Sequence, residues 1–500
     1  MTEELSERQR ELHQQRRQKA ESLRAAGSDP YPARTSRTHT LAQAKAEFVA
    51  FEEAASGAAP SVVVAGRVTA LRNLGKIAFL DLRDGSGELQ LHCGRDAVTH
   101  EGESAGWGLL ESLDLGDFVE AWGSMMRTRR GEVSVDVEGW RLLAKALRSP
   151  PEKFHGLRDV EARYRQRYLD IQSNPGSRGV FEVRSRVIAA LRRWMDERGF
   201  LEVETPVLQP EAGGAAARPF RTHFNALEET RYLRIALELH LKRLIVGGFD
   251  KVYEIGRIFR NEGVSTRHNP EFTMMESYEA YTDYLGVAAM VEELVAYLAE
   301  TATGSTRVPW GDATIELAPP WRRLTVAEAV RDYAGIELEQ YRDETALRTW
   351  LRDQGIAVPE QKGWAKLFDT LLSERVEPEF VQPTFLLDWP VETTPLAKRV
   401  AGDASLVERF EAFVAGWEIA NAYSELNDPD DQRCRFEEQQ ALRRAGDEEA
   451  ELMDEDFLVA LEYGMPPTGG LGMGIDRLVM VLTNSQSIRD VILFPQMRRA

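Results

Sequence analysis

The run YEIGRIFRNEGVSTRHNPEFTMMESY, from Tyr253 to Tyr278, decides how the second half of the chain is read. Two extended stretches flank a loop centred on Gly263 to Asn269, the pattern of an antiparallel strand pair whose side chains alternate between faces. Arg260 and Glu262 then project to one face at the end of the first strand, and Phe272, Met274, Glu276 and Tyr278 share a face of the second. One surface thus gathers a cation, carboxylates, a ring and a hydroxyl. A charge ladder on an exposed sheet is the competing reading. The apolar residues set among the polar ones favour a pocket for a charged, flat ligand.

Two segments further on carry similar information. In FEAFVAGWEIANAYSELND, Phe410 to Asp428, the polar Asn421, Tyr423 and Glu425 alternate with Ala420, Ala422 and Ser424, so a polar face is backed by one small enough for close packing. If Gly416 makes the reversal, Glu411 and Glu418 lie on adjacent strands and can hold Mg²⁺ against substrate phosphates, since that ion prefers hard oxygen ligands. Taken alone, such a pair is more often a solvated surface pair of carboxylates. The run Gly469 to Leu482 reads as glycines opening an apolar helix, with N–H groups open to a ligand. A dinucleotide fingerprint would need a preceding strand and a later acidic residue. The run instead follows Pro466-Pro467 and the sequence stops soon after.

Outward from these segments, Val187, Ile188, Leu191 and Met195 sit at helical spacing before Gly199, and Phe200 to Pro206 reads as extended. Residues 285–357 are rich in Ala, Glu and Arg and read as a helical insertion. Upstream of Ser149-Pro150-Pro151 the pattern is β, with short strands at Val62–Val64, Ala78–Leu82, Leu89–His92, Phe118–Trp122 and Val133–Val137. Five strands in so short a span make a small barrel; an OB-fold is one candidate and another small barrel fits as well. Residues from about 5 to 26 read as an exposed helix, and Ala54 to Pro60 as a linker. The expected division is therefore a helical extension and linker over 1–57, a barrel over 58–148, and a mixed α/β domain over 149–500 with its insertion around 285–380.

Composition limits the partners. A net charge of −19 argues against coating nucleic acid by bulk electrostatics but leaves a local patch open. Such a patch would be Arg141, Lys145, Arg148, Lys153, Arg158, Arg163, Arg165 and Arg167, which reads as well as a solvated linker. No apolar run is long enough to span a membrane, and the polar first residues do not read as a secretory signal. Cys93 and Cys434 form no pairing motif, so a reducing, cytoplasmic setting is expected.

Taken in order, these segments resemble the three motifs of class II aminoacyl-tRNA synthetases, and among them the lysine enzymes. Phe259 to Glu262 with Arg267 to Thr273 resembles motif 2, and Gly470 to Arg477 motif 3, followed by a similar tail, Ile488 to Pro495. The helix from Val187 with the strand through Pro206 resembles motif 1, which implies a homodimer through the region around Pro206. The likeness covers about residues 20 to 498. It implies a multidomain α+β fold, with an N-terminal OB-fold β-barrel followed by an antiparallel sheet flanked by helices.

The resemblance also implies roles. Arg260 matches the catalytic arginine that holds the α-phosphate; Phe272 and Arg477 match the pair enclosing adenine; Glu262, His268 and Asn269 match further ATP contacts. Glu411 and Glu418 match Mg²⁺ ligands. Gly214 and Glu238 match groups on the substrate α-amino group, Asn421 on its carboxylate, and Tyr278 and Glu425 on the lysine ε-amino group, with Glu276 and Tyr423 in the same pocket. In the barrel, Arg72, Phe79, Gln90 and Glu132 fall where uridine-rich anticodon bases are contacted, a ring with polar edge readers being what single strands require. The implied activity is lysine activation with ATP and Mg²⁺, then transfer to tRNA(Lys). Glu425 with Tyr278 suits an ammonium, whereas a desolvated aspartate side chain needs cationic partners. Leu237 and His240 depart from the Pro and Tyr expected beside Glu238, and packing or an indirect role is expected for His240 rather than catalysis. A related ligase that modifies an elongation factor lacks the barrel, and a catalytically silent tRNA-binding scaffold predicts decay of Arg260, Glu411, Glu418 or Arg477, all of which are present.

Overall fold

In the computed structural model the described residues are 6–54, 57–99, 104–150, 157, 159–211, 213–358, 363–446 and 450–498. The chain divides between Leu157 and Arg158 into two compact units.

In the first unit, strands β1 (Ser61–Asn73), β2 (Ile77–Arg83), β3 (Glu88–Gly94), β4 (Phe118–Arg127) and β5 (Val133–Ala144) close into a barrel in the order β1-β2-β3-β5-β4. All five expected strands are present. Period-two alternation drives the closure: Ala78, Leu80 and Leu82 of β2 and Leu89, Leu91 and Cys93 of β3 turn inward and are buried. Burial pushes the Cys93 thiol up to about 12, with Asp136 adding to it, so this cysteine is an inert core residue. The N-terminal helix Glu7–Ala25 starts at a capping box between Ser6 and Gln9. It is not the fully exposed helix expected: Ala20 and Leu23 are buried, and Arg16 Nη1 donates to the carbonyls of Leu115, Ala146 and Arg148. A second helix, Leu41–Ala54, has no counterpart in the sequence reading and adds Leu41, Ala44 and Phe48 to the barrel core.

Five cations of the basic stretch are paired internally. Arg141 pairs with Glu120, Lys145 with Asp114 and Asp117, Arg163 and Arg167 with Asp170, and Arg165 with Glu161. Lys153 and Arg158 lie outside the described residues. Charge here therefore fixes local structure; for these five cations the reading as an RNA patch is set aside.

The second unit is built on one large sheet. After β6 (Leu201–Glu202), a small sheet is formed by β7 (Leu208–Gln209), β8 (Arg221–Phe224) and β9 (Glu229–Leu233). Then come β10 (Lys251–Phe259), β11 (Glu271–Ala280), the hairpin β12 (Arg307–Trp310) and β13 (Ala313–Glu316), and β14 (Arg322–Thr325). The series ends with β15 (Thr384–Pro390), β16 (Arg399–Val400), β17 (Asp403–Val414), β18 (Trp417–Ser424) and β19 (Thr468–Gly474). The main sheet runs β14-β15-β17-β18-β19-β11-β10-β6, with β16 beside β17. It is antiparallel apart from two edge pairs, β6 with β10 and β14 with β15.

The helices Pro175–Glu197 and Tyr284–Thr303 pack beneath the sheet, burying Val187, Leu191, Trp194 and Met195 against Val291, Leu294, Val295 and Leu298 in a shared core. Full burial of each such side chain contributes about 1.5–3 kcal/mol. The first of these helices begins at Pro175, three turns before the expected Val187, and its opening turns already place Val180 and Val183, partly buried, against the same core. The expected extended run to Pro206 pairs only at Leu201–Glu202. The region around 285–380 is not purely helical: it holds a core helix and the β12–β13 hairpin, and it lends β14 to the main sheet.

Candidate active site

One cavity of about 590 Å³ opens on the face of the main sheet. Its lining includes every residue expected for ATP, metal and amino acid: Arg260, Glu262, His268, Asn269, Phe272 and Arg477; Glu411 and Glu418; Gly214, Glu238, Glu276, Tyr278, Asn421, Tyr423 and Glu425. His240 is not among the lining residues, which supports packing or an indirect role for it.

The β10–β11 ladder pairs Phe259 with Glu271 and Val252 with Tyr278, so Phe272, Met274, Glu276 and Tyr278 emerge on one face as the period-two rule requires. Arg260 sits just past the end of β10, so strand alternation does not aim it, contrary to the sequence reading. Backbone bonds do: Arg260 N–H donates to Pro270 O at 2.9 Å, and Asn261 N–H to Arg218 O at 2.7 Å. Its Nε donates to Ile235 O at 3.4 Å, and its guanidinium lies 5.4 Å from the Phe272 ring centre. Among the described residues it makes no ion pair, and burial lowers its affinity for its own proton while Glu262, Glu418 and Glu276 raise it. An arginine fixed by its backbone and not neutralised is ready for an anion.

Asn269 is turned inward to hold the loop, donating Nδ2 to Glu271 O at 2.6 Å and accepting from Gln496 N–H at 3.4 Å. His268 Nδ1 lies 3.2 Å from Ser265 Oγ, and partial desolvation with Arg477 and Arg267 nearby lowers the pKa of the ring. Phe272 is held from behind. Asp476 accepts from the Thr273 N–H and from Arg184, both at 2.6 Å, which locks the helix Ile475–Leu482 to β11.

The glycine run is strand β19, not a loop opening a helix. Its backbone is committed to ladders with β11 and β18, so its N–H groups are not offered to a ligand. The glycines serve clearance. A Cβ on Gly470 would lie 1.8 Å from Glu425 Oε1 and 2.6 Å from Tyr278 Cε1, so only glycine leaves room for these two side chains.

The hairpin turn between β17 and β18 is made by Ala415 and Gly416, with φ of 58° and 72°. Gly416 therefore does reverse the chain, and Glu411 and Glu418 come to adjacent strands, with a register shift between Ala412 and Phe413. Glu411 is buried, and burial together with Glu418 raises its pKa well above the carboxylate range, against the pull of Arg409. Arg409 Nη2 donates to Glu411 Oε1 at 2.5 Å, and Arg477 Nη1 to Glu418 Oε2 at 2.9 Å. Two crowded carboxylates of hard oxygen character fit a divalent cation, and two are enough when substrate phosphates supply the rest. Asp369 and Glu377 face the same cavity, pushed up to about 6 and about 7, chiefly by burial.

The amino acid end is a buried set of carboxylates. Glu276 accepts from Leu237 N–H at 2.9 Å and from Tyr278 OH at 3.2 Å; the Leu237 bond is one a proline could not make. Burial, with Glu238 close by, pushes Glu276 up to about 7. Glu425 is 2% exposed, its Oε2 in an ion pair with Lys242, and its Oε1 has no hydrogen-bond partner. Burial raises Glu425 and Lys242 pulls it back; Lys242 holds its proton because Glu238, at 2.5 Å, and Glu425 both face it. Lys242, Arg409, Asp476 and Glu451 were missed from sequence. Glu238 and Lys242 are four apart on a helix, a spacing that usually marks a surface pair. Arg409 alternates with Glu411, which was a signal; Glu451 lies in an acidic loop and gave none.

On the barrel, Arg72, Phe79 and Gln90 come together. The Arg72 guanidinium lies 5.9 Å from the Phe79 ring centre, and Arg72 and Gln90 both donate to Asp81 Oδ1, at 3.0 and 3.3 Å. His92 lies against Phe79 at 5.4 Å between ring centres and bonds Asp136, a pair that sequence reasoning did not single out. Glu132 is exposed just before β5.

Comparison with known proteins identifies the families of both units. Residues 159–498 match the family described as tRNA synthetases class II (D, K and N), and residues 62–143 match the OB-fold nucleic acid binding domain. The barrel is thereby an OB-fold, which the strand pattern alone had left open. The chain is 55% identical over 488 residues to the lysine–tRNA ligase of Dehalococcoides mccartyi (strain ATCC BAA-2266 / KCTC 15142 / 195), covering 97% of each. It is 52% identical over 492 residues to that of Moorella thermoacetica, covering 98% of this chain and 99% of the relative. It is 50% identical over 484 residues to that of Shouchella clausii, covering 97% and 96%. The chain belongs to the class II tRNA synthetases, within the lysine–tRNA ligase family.

Proposed function

We propose that this chain activates L-lysine with ATP to lysyl-adenylate and then transfers the lysyl group to the 3′ end of tRNA(Lys) in the cytoplasm. The observation that carries the lysine assignment is Glu425 Oε1, a buried carboxylate oxygen without a partner at a cavity wall cleared by Gly470. An incoming ammonium supplies both the missing donor and the opposite charge; an aspartate carboxylate supplies neither, and an asparagine amide supplies a donor without the charge. ATP–pyrophosphate exchange without tRNA, across all twenty amino acids, tests this. Exchange with lysine alone supports the reading, and exchange with aspartate or asparagine overturns it.

In this mechanism the lysine α-carboxylate attacks the α-phosphorus in line and pyrophosphate leaves. A ribose hydroxyl of the terminal adenosine then attacks the acyl carbon, giving up its proton as the anhydride bond breaks and AMP leaves. Arg260 stabilises charge building on the α-phosphate, Phe272 and Arg477 hold the adenine, and Asn421 and Arg409 orient the amino acid end through the 3.2 Å bond between them. Glu411 and Glu418 would hold Mg²⁺, which supplies Lewis-acid neutralisation of the phosphates when bound. A homodimer around Pro206 is part of the proposal, supported by the exposed apolar side chains of Leu201, Val207 and Leu208.

Two expected results follow. Burial pushes Glu276 up to about 7 and shifts Glu425 in the same direction, whereas an ammonium ligand needs carboxylates. Glu238, Lys242, Tyr278, Arg260 and the Leu237 N–H are the groups that face them. The KM for lysine is therefore expected to fall as pH rises from about 6 to about 8.5. A flat profile, with the KM for ATP as reference, would contradict it. On the barrel, loss of one stacking ring costs about 1–3 kcal/mol per base. Phe79→Ala is expected to lower tRNA charging by that amount and leave lysine-dependent exchange unchanged; equal loss in both assays would remove Phe79 from the anticodon surface.

A further inference from the structure

Two carboxylates at the amino acid end carry buried oxygens without a hydrogen-bond partner, and only one has been used so far. Among the described residues that line the cavity, such oxygens belong to Glu425 and to Glu451 Oε2. Glu451 is 5% exposed, so it is not a surface acid that strayed inward. It is held in place: its own N–H donates to Gln439 Oε1 at 3.3 Å, and the Gly214 N–H faces its carboxylate. The other cavity acids at this end are engaged, Glu276 by Leu237 and Tyr278, and Glu238 Oε1 by Lys242. A buried carboxylate left unpaired is costly unless a ligand completes it.

We propose that Glu451 is a substrate-binding residue that receives the α-ammonium group of the amino acid while Glu425 receives the ε-ammonium. This rests on the lysine reading above. Both carboxylates line the same cavity at different places: Glu425 stands beside Tyr278 and Gly470, whereas Glu451 faces Gly214, where a Cβ would lie 3.3 Å from that of Glu238. Burial, with Glu238 adjacent, pushes Glu451 up to about 8, against the pull of Lys242 and the Gly214 N–H, so binding here also displaces a proton.

Glu451→Gln keeps the shape and removes the charge. A charge-assisted hydrogen bond lost at a buried site weakens binding roughly 10- to 100-fold. In the exchange assay the KM for lysine is expected to rise by that factor, with kcat and the KM for ATP within about twofold. The probe that separates the two ends is 6-aminohexanoate, which has the carboxylate and ε-ammonium but no α-ammonium. Its inhibition constant is expected to be the same for both proteins, and the pH dependence of the lysine KM is expected to become shallower in the variant while the part due to Glu276 and Glu425 remains. An unchanged lysine KM, or equal weakening of lysine and 6-aminohexanoate, overturns the proposal. Absence of lysine-dependent exchange in the unaltered protein removes the reading beneath it and the proposal together.

Discussion

Arg260→Ala is expected to reduce lysyl-adenylate formation by about 3–4 kcal/mol of barrier, or roughly 10²- to 10³-fold in kcat. The magnitude is that of losing one preorganised donor aimed at developing charge. The structure gives reasons to expect the upper part of that range. The Arg260 backbone is clamped by Pro270 O, its neighbour Asn261 by Arg218 O, and its guanidinium makes no ion pair among the described residues. It therefore reorganises little when the phosphate arrives. Arg260→Lys retains the charge but not the planar fork, and is expected to recover only part of the loss. Single-turnover formation of lysyl-adenylate is the measurement, since it isolates chemistry from release. Adenylation at the unaltered rate in Arg260→Ala would remove the residue from the mechanism.

The second large effect is at Glu425. Its carboxylate is shared between the protein's own Lys242 and the proposed substrate ammonium, so Glu425→Gln withdraws charge from both. Removing one member of a buried pair costs about 3–5 kcal/mol, because the remaining charge is left without its partner. Part of that appears as lower stability, since Lys242 keeps only Glu238. The rest is expected as a fall in kcat/KM for lysine of roughly 10²- to 10³-fold, with the KM for ATP little changed. Thermal unfolding measured beside exchange separates the two contributions. A variant that is less stable yet activates lysine with an unaltered KM would make Glu425 structural and send the ε-ammonium elsewhere.

Much of this was legible in the chain because the chemistry lies on strands. Period two put Phe272, Glu276 and Tyr278 on one face, and likewise Asn421 and Tyr423, without any knowledge of how the strands would be joined. The left-handed turn at Ala415–Gly416 was announced by its glycine, so the meeting of Glu411 and Glu418 could be expected too. The barrel strands were equally plain, since Ala78, Leu80 and Leu82 alternate with polar residues. What the order of residues could not convey was which strands would be neighbours. The glycine run looked like a helix-opening loop until β19 was found between β11 and β18, where each N–H already has a carbonyl. Its glycines answer to Glu425 and Tyr278, which lie 45 and 192 residues away in sequence from Gly470 but in contact with its missing Cβ.

Local patterns of side-chain alternation and turn residues thus determined the barrel strands and the strand-borne cavity residues, because those signals act over a few residues. Gly214, Glu238, His268, Asn269 and Arg477 were reached only through the resemblance to a known family. Tertiary structure alone decided the electrostatics. Whether Lys242 is a surface cation or a buried partner of two carboxylates depends on what is packed over it. The same holds for Glu451 as a solvated acid or an unpartnered one, because desolvation depends on everything that excludes water from the site, including segments remote in sequence.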